Sequence, residues 1–420
     1  DHDRSGRYVA RDFGQNYLNS MDAKGNPVIF TNGDNDTFPL WYNQETEGVR
    51  TDARVCNLSY LQTDWYIDQM RRPAYDSPSL PISWTRLQYV TGTREGIPVQ
   101  PDALQQVIDY YKDSPEDLKQ MLGDNPYELK NIIRHWVLND NPDLQIFPTD
   151  SIVVTVDKEA VKRSGMMIAA DSIPDVMHIS LKGKRAIYKS EMMMLEMISQ
   201  ANWERPLYMS TTVGPDNYGH LGDNFVQEGL ACRITPFDTK QSGRTIDSER
   251  MYNNMMNKFK YGGLKENPDI YLDETVIRMC YTHRRLFNQL AQQLLKEGQK
   301  DKALKVLQRA EEEIPGSIVP HEAFYGHSLE LADAWLALGH KAEAEKLLNA
   351  VGQNAKEYIE WYLSLNTQRL LQSSRECLMQ IYILNDIAKT WEPIDKKKAE
   401  TYRMEVNNYA SRCHQRGMSL

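Results

Sequence analysis

Two carboxylates one residue apart are the first side chains whose spacing could do chemistry: Asp34 and Asp36, within Thr31-Asn32-Gly33-Asp34-Asn35-Asp36-Thr37. An Asp-x-Asp pair after a strand can share a divalent cation or accept hydroxyl donors from a sugar. With a cation in place, the helix N-terminus next in the chain would suit the diphosphate of a sugar nucleotide. A local reading competes with this one. Asp36 or Thr37 can cap the first free N–H groups of that helix, and Asp34 then serves only as a turn residue. What the carboxylates face, a cavity or nearby backbone, separates the two.

Other side chains can converge on the same turn. Asn32 and Asn35 flank the carboxylates, and a second strand and helix bring Asn57, Asp64, Trp65 and Tyr66. Trp41, Tyr42, Trp65 and Tyr66 present rings able to stack on a sugar. Asp216 and His220 sit in a glycine-rich polar loop, 214–224, and read as rim contacts. The candidate ligand-binding set is therefore Asn32, Asp34, Asn35, Asp36, Asn57, Asp64, Trp65, Tyr66, Asp216 and His220, with Asp34 and Asp36 as metal ligands. A further group able to ligate a metal is His2 between Asp1 and Asp3.

Common catalytic signatures are missing from the sequence. There is no Gly-x-Ser-x-Gly nucleophile elbow, no His-Glu-x-x-His zinc motif and no Gly-x-Gly-x-x-Gly dinucleotide fingerprint. The loop at 214–224 also lacks the lysine and spacing of a phosphate-binding loop. Five cysteines without Cys-x-x-Cys spacing argue against a zinc ribbon or a disulfide framework. The net charge of -9 argues against a general nucleic-acid binder, which would show a basic face. No run approaches the roughly 20 apolar residues of a membrane helix. The chain opens on Asp1-His2-Asp3-Arg4, without Met or signal peptide, as a piece of a longer protein would.

The elements that must position these residues emerge from periodicity. Val28 to Phe30 reads as a buried strand, and Thr37 to Gly48 as a helix with Pro39 in its first turn and Gly48 at its stop. Arg54 to Leu58 and Thr63 to Arg72 repeat the strand–helix pattern, which predicts a parallel βαβ unit. After an irregular stretch from Pro73 to Pro101, short helices are expected over 101–140. Strands resume at 151–156, 176–181, 206–210 and 230–235. The methionine run Met192-Met193-Met194 with Met197 reads as core, since Met fills gaps between larger side chains. The predicted class is α/β, Rossmann-like with a mostly parallel open sheet, over residues 1–262. An all-α domain is expected over 263–420.

That second part contains a repeat. The segment Leu294 to Leu307 recurs as Trp335 to Leu348, with Gly298 matching Gly339 and Ala303 matching Ala344, a shift of 41 residues in each case. Glycine closes a turn and the small alanine lets the second helix approach the first. The pattern is tetratricopeptide-like, lengthened beyond that unit's usual period of about 34 residues. Such repeats present a concave face to a peptide or partner protein.

Four stretches together carry a family resemblance: DHDRSGR at 1–7, TNGDNDTFPLWY at 31–42, RTDARVCNLSYLQTDWYIDQM at 50–70 and NWERPLYMS at 202–210. With QEGLACRITP at 227–236 and the helical repeats, the chain resembles the C-terminal region of bacterial multipass membrane proteins of the protein O-mannosyltransferase-like, GT-C type. That region has long been carried as a domain of unknown function. The resemblance implies a periplasmic, non-catalytic accessory domain that binds or orients an acceptor protein or glycan. The membrane half of the same polypeptide would take the sugar from a lipid-linked donor, and its external loop would supply the catalytic base. No residue of this chain is then the base. The alternatives are a metal-dependent, sugar-nucleotide-binding enzyme built on the Asp34-Asn35-Asp36 turn and a helical-repeat interaction scaffold.

Overall fold

A computed structural model describes residues 4–168 and 172–418. The chain divides into two compact units, one of Arg11–Lys260 and one of Tyr261–Leu420 together with Asp1–Ala10.

The first unit mixes strands and helices. Among its described residues the strands are β1 (Val28–Thr31), β2 (Arg54–Asn57), β3 (Gly96–Pro98), β4 (Ser151–Thr155), β5 (Val176–Ser180), β6 (Ala186–Tyr188), β7 (Leu207–Ser210), β8 (Phe225–Gln227) and β9 (Ala231–Ile234). Five of them form one sheet in the order β2-β1-β7-β9-β8. β2, β1 and β7 run parallel, whereas β9 and β8 add antiparallel, so the sheet is mixed. The strands expected at 151–156 and 176–181 pair antiparallel with each other as a separate ribbon, β4 with β5, and β3 pairs with β6 in the same way. Burial explains the division. Every residue of β1, β2 and β7 is buried, as in a sheet covered on both faces, while β4 and β5 alternate between core and solvent.

Four helices pack around the parallel strands and their connections: α1 (Val9–Ser20), α2 (Phe38–Glu47), α3 (Asp64–Met70) and α4 (Lys189–Ala201). α2 has Pro39 in its first turn and ends on Gly48, whose φ of 63° gives the left-handed stop that glycine adopts at little cost. Gly14 of α1 lies so close to α2 that a Cβ there would stand 2.3 Å from the Pro39 carbonyl oxygen. In α4 the residues Met192, Met193, Met194 and Met197 are all buried in the main core, with Phe30, Tyr66, Ile67 and Trp84. The inserted helices Ala103–Tyr110, Pro115–Leu122 and Leu129–Ile132 lead to a smaller core of Leu104, Leu122, Trp136 and Ile146.

The second unit is helical: α5 (Glu274–Lys296), α6 (Lys300–Glu313), α7 (Ser328–Ala337), α8 (Lys341–Ser364), α9 (Ser374–Trp391) and α10 (Lys396–Gln415), with a short helix over Thr367–Gln372. α5 packs on α6, α7 on α8 and α9 on α10. Gly298 and Gly339 turn the first two pairs at φ 75° and 84°. Ala303 and Ala344 are fully buried one turn later, where a larger side chain would hold the paired helices apart. No helix among the described residues is long and apolar enough to cross a membrane.

Candidate functional site

The carboxyl ends of β1 and β7 lie side by side, and from β1 the chain proceeds to β2 on the opposite flank. Open α/β sheets tend to bind ligands where the strand order reverses in this way. The Asp34-Asn35-Asp36 turn is placed there. Its two carboxylates diverge.

Asp36 is 5% exposed and turns back into the protein. It accepts the Gly33 N–H at 2.9 Å, the Asn32 N–H at 3.4 Å, the Ser210 hydroxyl at 3.1 Å and the Thr212 hydroxyl at 2.8 Å. Helix α2 receives no side-chain cap from Thr37 at its N-terminus. Asp34 and Asn35 are exposed, and the Asp34 carbonyl accepts the N–H groups of Thr37 and Phe38. Among the described residues no cluster of three or more His, Cys, Asp or Glu side chains is placed to hold a metal ion.

The buried network extends from Asp36 in both directions. Thr31 and Thr37 share a hydroxyl–hydroxyl bond at 2.8 Å, and Asn57 donates to the Thr37 hydroxyl at 2.9 Å while accepting the Tyr60 N–H at 3.0 Å. Ser59 donates to Asn32 at its carbonyl and side chain. On the other side, the Tyr17 hydroxyl meets Thr212 at 3.1 Å. Burial, with the Asp36 charge adding to it, pushes the Tyr17 phenol up to about 12. Asn32, Asp36 and Asn57 thus belong to one network that ties together the ends of three parallel strands.

The remaining candidates separate. Asp64 accepts the Thr91 N–H at 3.2 Å, which with the nearby Arg86 holds its carboxyl below the usual range. Asp216 is exposed on its loop. The side chain of His220 lies outside the described residues, as do Asp1, His2 and Asp3. Trp65 and Tyr66 join an aromatic ladder: Phe38 stacks on Trp41 at 5.7 Å, Trp41 on Tyr60 at 6.2 Å, and Tyr60 meets Trp65 at 5.9 Å and Tyr66 at 5.7 Å. This ladder borders a groove of about 560 Å³ beside β2, whose lining includes Trp41, Arg54, Tyr60, Trp65 and Tyr75. Trp65 is 54% exposed, whereas Tyr66 is buried and donates to the Val55 carbonyl while accepting the Asn57 N–H.

Two groupings escape a reading of the sequence. Ser210 and Thr212 complete the Asp36 site from the far end of β7, about 175 residues away, and the only local sign is the Ser-Thr-Thr run that ends that strand. The second is a buried ion cluster. The Glu228 carboxylate is fully buried, accepts the Tyr208 hydroxyl at 2.8 Å, and lies 3.7 Å from Arg233 and 3.5 Å from Arg250. Both arginines also reach Asp22. Burial pushes the Glu228 carboxyl up to about 7 against the pull of those arginines. Glu228 and Arg233 both stand in QEGLACRITP, and charged residues within so apolar a run were the available signal.

Fold and site together define a class: a mixed α/β module, closed by a buried polar network at the strand ends, joined in sequence to a helical unit. Residues 10–254 match the family model of TMEM260-associated domain 2, and the chain belongs to that family. The domain is tied to TMEM260, a protein O-mannosyltransferase-like family. The matched span corresponds closely to the α/β unit, 11–260. No curated protein and no solved structure matches the chain.

Proposed function

We propose that this chain is the non-catalytic extracytoplasmic part of a glycosyltransferase-like membrane protein, acting on the periplasmic side of the bacterial inner membrane. The membrane half of the same polypeptide performs the transfer. The α/β unit holds or orients the acceptor protein or glycan. The observation that carries this reading is the family match, which covers the α/β unit almost end to end. The saturation of Asp36 by four donors supports a holding role over a catalytic one, because a nucleophile or base needs a lone pair free for substrate.

The helical unit, in this reading, is a tetratricopeptide-like platform for a peptide or partner. It carries a groove of about 530 Å³ lined by Tyr271, Tyr281, Phe324, Tyr325 and Tyr358. Aromatic anchors of this kind dominate protein–peptide contacts.

The test supplies the isolated 420-residue chain with a lipid-linked sugar donor and an acceptor protein, with the full-length membrane protein assayed in parallel. Product from the full-length protein and none from the isolated chain is expected. Sugar transfer or donor hydrolysis by the isolated chain would overturn the proposal.

A further inference from the structure

The groove beside β2 holds a cation without a counter-ion. Arg54 is the first residue of β2, is 5% exposed, and lines the groove together with Trp65, Gln69 and Ala74. Its Nη2 donates to the carbonyls of Gln69 and Arg72, at 2.8 and 3.0 Å, but its Nη1 has no hydrogen-bond partner. Among the described residues no carboxylate lies within ion-pair distance of it. Burial lowers the affinity of this guanidinium for its proton, and the neighbouring Arg205 carries a second positive charge. A buried donor left unpaired is destabilising, more so when charged. Nη1 is itself buried, so an acceptor oxygen in the groove relieves that cost once the guanidinium shifts outward to meet it.

The walls specify what else the occupant must offer. Trp65 and Tyr75 are 54% and 58% exposed, and Trp41 and Tyr60 stack behind them. Tyr75 stands at φ 51°, a left-handed conformation that bulky residues rarely adopt, and the nearby Glu45 carboxylate pushes its phenol up. The Trp65 ring is held against Tyr60 and Tyr66 before any ligand arrives. Aromatic faces are electron-rich and attract the polarised C–H groups of a pyranose.

An added peptide strand fits less well. β2 is the edge of the sheet, but several of its outward groups are already occupied. Gln44 donates to the Ala53 carbonyl, and Tyr66 takes the Val55 carbonyl and the Asn57 N–H. Strand addition relies on those groups being free.

We propose that the Trp65–Tyr75 groove binds a carboxylate-bearing sugar of the uronic acid class, its ring on the aromatic wall and its carboxylate on Arg54. This rests on the glycan-holding role proposed above and names the ligand class. The complementary charge is that of Arg54, which shares the groove lining with the Glu45 carboxylate; the chain as a whole is acidic, at -9.

The experiment titrates the intact chain with a disaccharide ending in glucuronic acid, the same disaccharide ending in glucose, and a short acidic peptide, monitored by ligand-observed NMR. The expected result is that the uronate binds about tenfold or more tightly than the neutral sugar, a preference that weakens with added salt. Arg54→Gln should erase the preference, while Trp65→Ala and Tyr75→Ala, both at exposed positions, should weaken binding about tenfold with the fold intact. Equal binding of the two sugars overturns the role of Arg54. Binding of the peptide alone, binding indifferent to Trp65→Ala and Tyr75→Ala, or no binding overturns the groove as a sugar site. None of these outcomes bears on whether the isolated chain transfers sugar, so the accessory role stands or falls separately.

Discussion

The Asp36 carboxylate and the Thr212 hydroxyl meet at 2.8 Å, joining the turn after β1 to the segment after β7. This one bond brings together residues 176 positions apart, and Ser210 and Gly33 donate to the same carboxylate. It makes the acidic turn a clasp between parallel strands.

Removing the clasp should be costly. Asp36→Ala leaves the buried Ser210 hydroxyl and three further donors without their acceptor, and a loss of about 3 kcal/mol is expected in urea unfolding. Asp36→Asn keeps one acceptor oxygen and should cost about 1 kcal/mol. A double-mutant cycle with Ser210→Ala should return a positive coupling energy of about 1 kcal/mol. Simple additivity would show that the bond contributes nothing to the fold.

Gly14→Ala sets two effects against each other. Alanine is the better helix former by about 0.8–1.0 kcal/mol. Its Cβ would also stand 2.3 Å from the Pro39 carbonyl oxygen, a backbone atom that moves only with α2. Overpacking of that kind costs about 1–3 kcal/mol. A net loss of about 1–2 kcal/mol is expected, whereas a rise in Tm would mean that α2 yields to the added methyl group.

The two units should respond to acid in opposite directions. Glu228, raised to about 7 by burial, contributes stability below its ordinary value near 4.5, and that contribution is lost as pH climbs to 7. His283, lowered to about 3 by burial in α5, behaves in the reverse sense. Its contribution is full above 6.5 and is lost as pH falls toward 3. Calorimetry between about pH 4.5 and 7 should therefore show acid stabilising the α/β transition and destabilising the helical one. Glu228→Gln should flatten the first slope, and His283→Phe the second.

Cys377 of α9 and Cys413 of α10 are buried with their sulfurs 3.9 Å apart. Burial pushes the Cys377 thiol up to about 12, so little thiolate exists at neutral pH. Oxidised glutathione at about pH 8 should still cross-link the pair, slowly, through a mixed disulfide at one sulfur that the other then displaces. The readout is the loss of two alkylatable thiols in the unfolded chain and a linked peptide by mass spectrometry. Closing a loop of this size should then raise stability by about 3–4 kcal/mol. Retention of all five thiols after prolonged exposure would mean that the sulfurs cannot approach.

Much of this protein is legible in its local sequence. Val28 to Phe30 announces a buried strand because three apolar residues in a row have no solvent face. Pro39 and Gly48 bracket α2 because each backbone suits only one end of a helix. Gly298 and Gly339 mark the helical turns for the same reason. Each of these features is set within a few residues. Tertiary structure decided the rest. Whether the strands near 151 and 176 joined the main sheet was decided only by their pairing with each other as a ribbon with one solvent face. Whether Asp36 faced a cavity or the protein depended on Ser210 and Thr212 arriving from the far end of β7. Nothing adjacent to Arg54 shows that it would be buried with one nitrogen unpaired, since that depends on which carboxylates fold nearby. Local backbone preference is encoded residue by residue, but the pairing of buried polar groups is fixed only when distant segments meet.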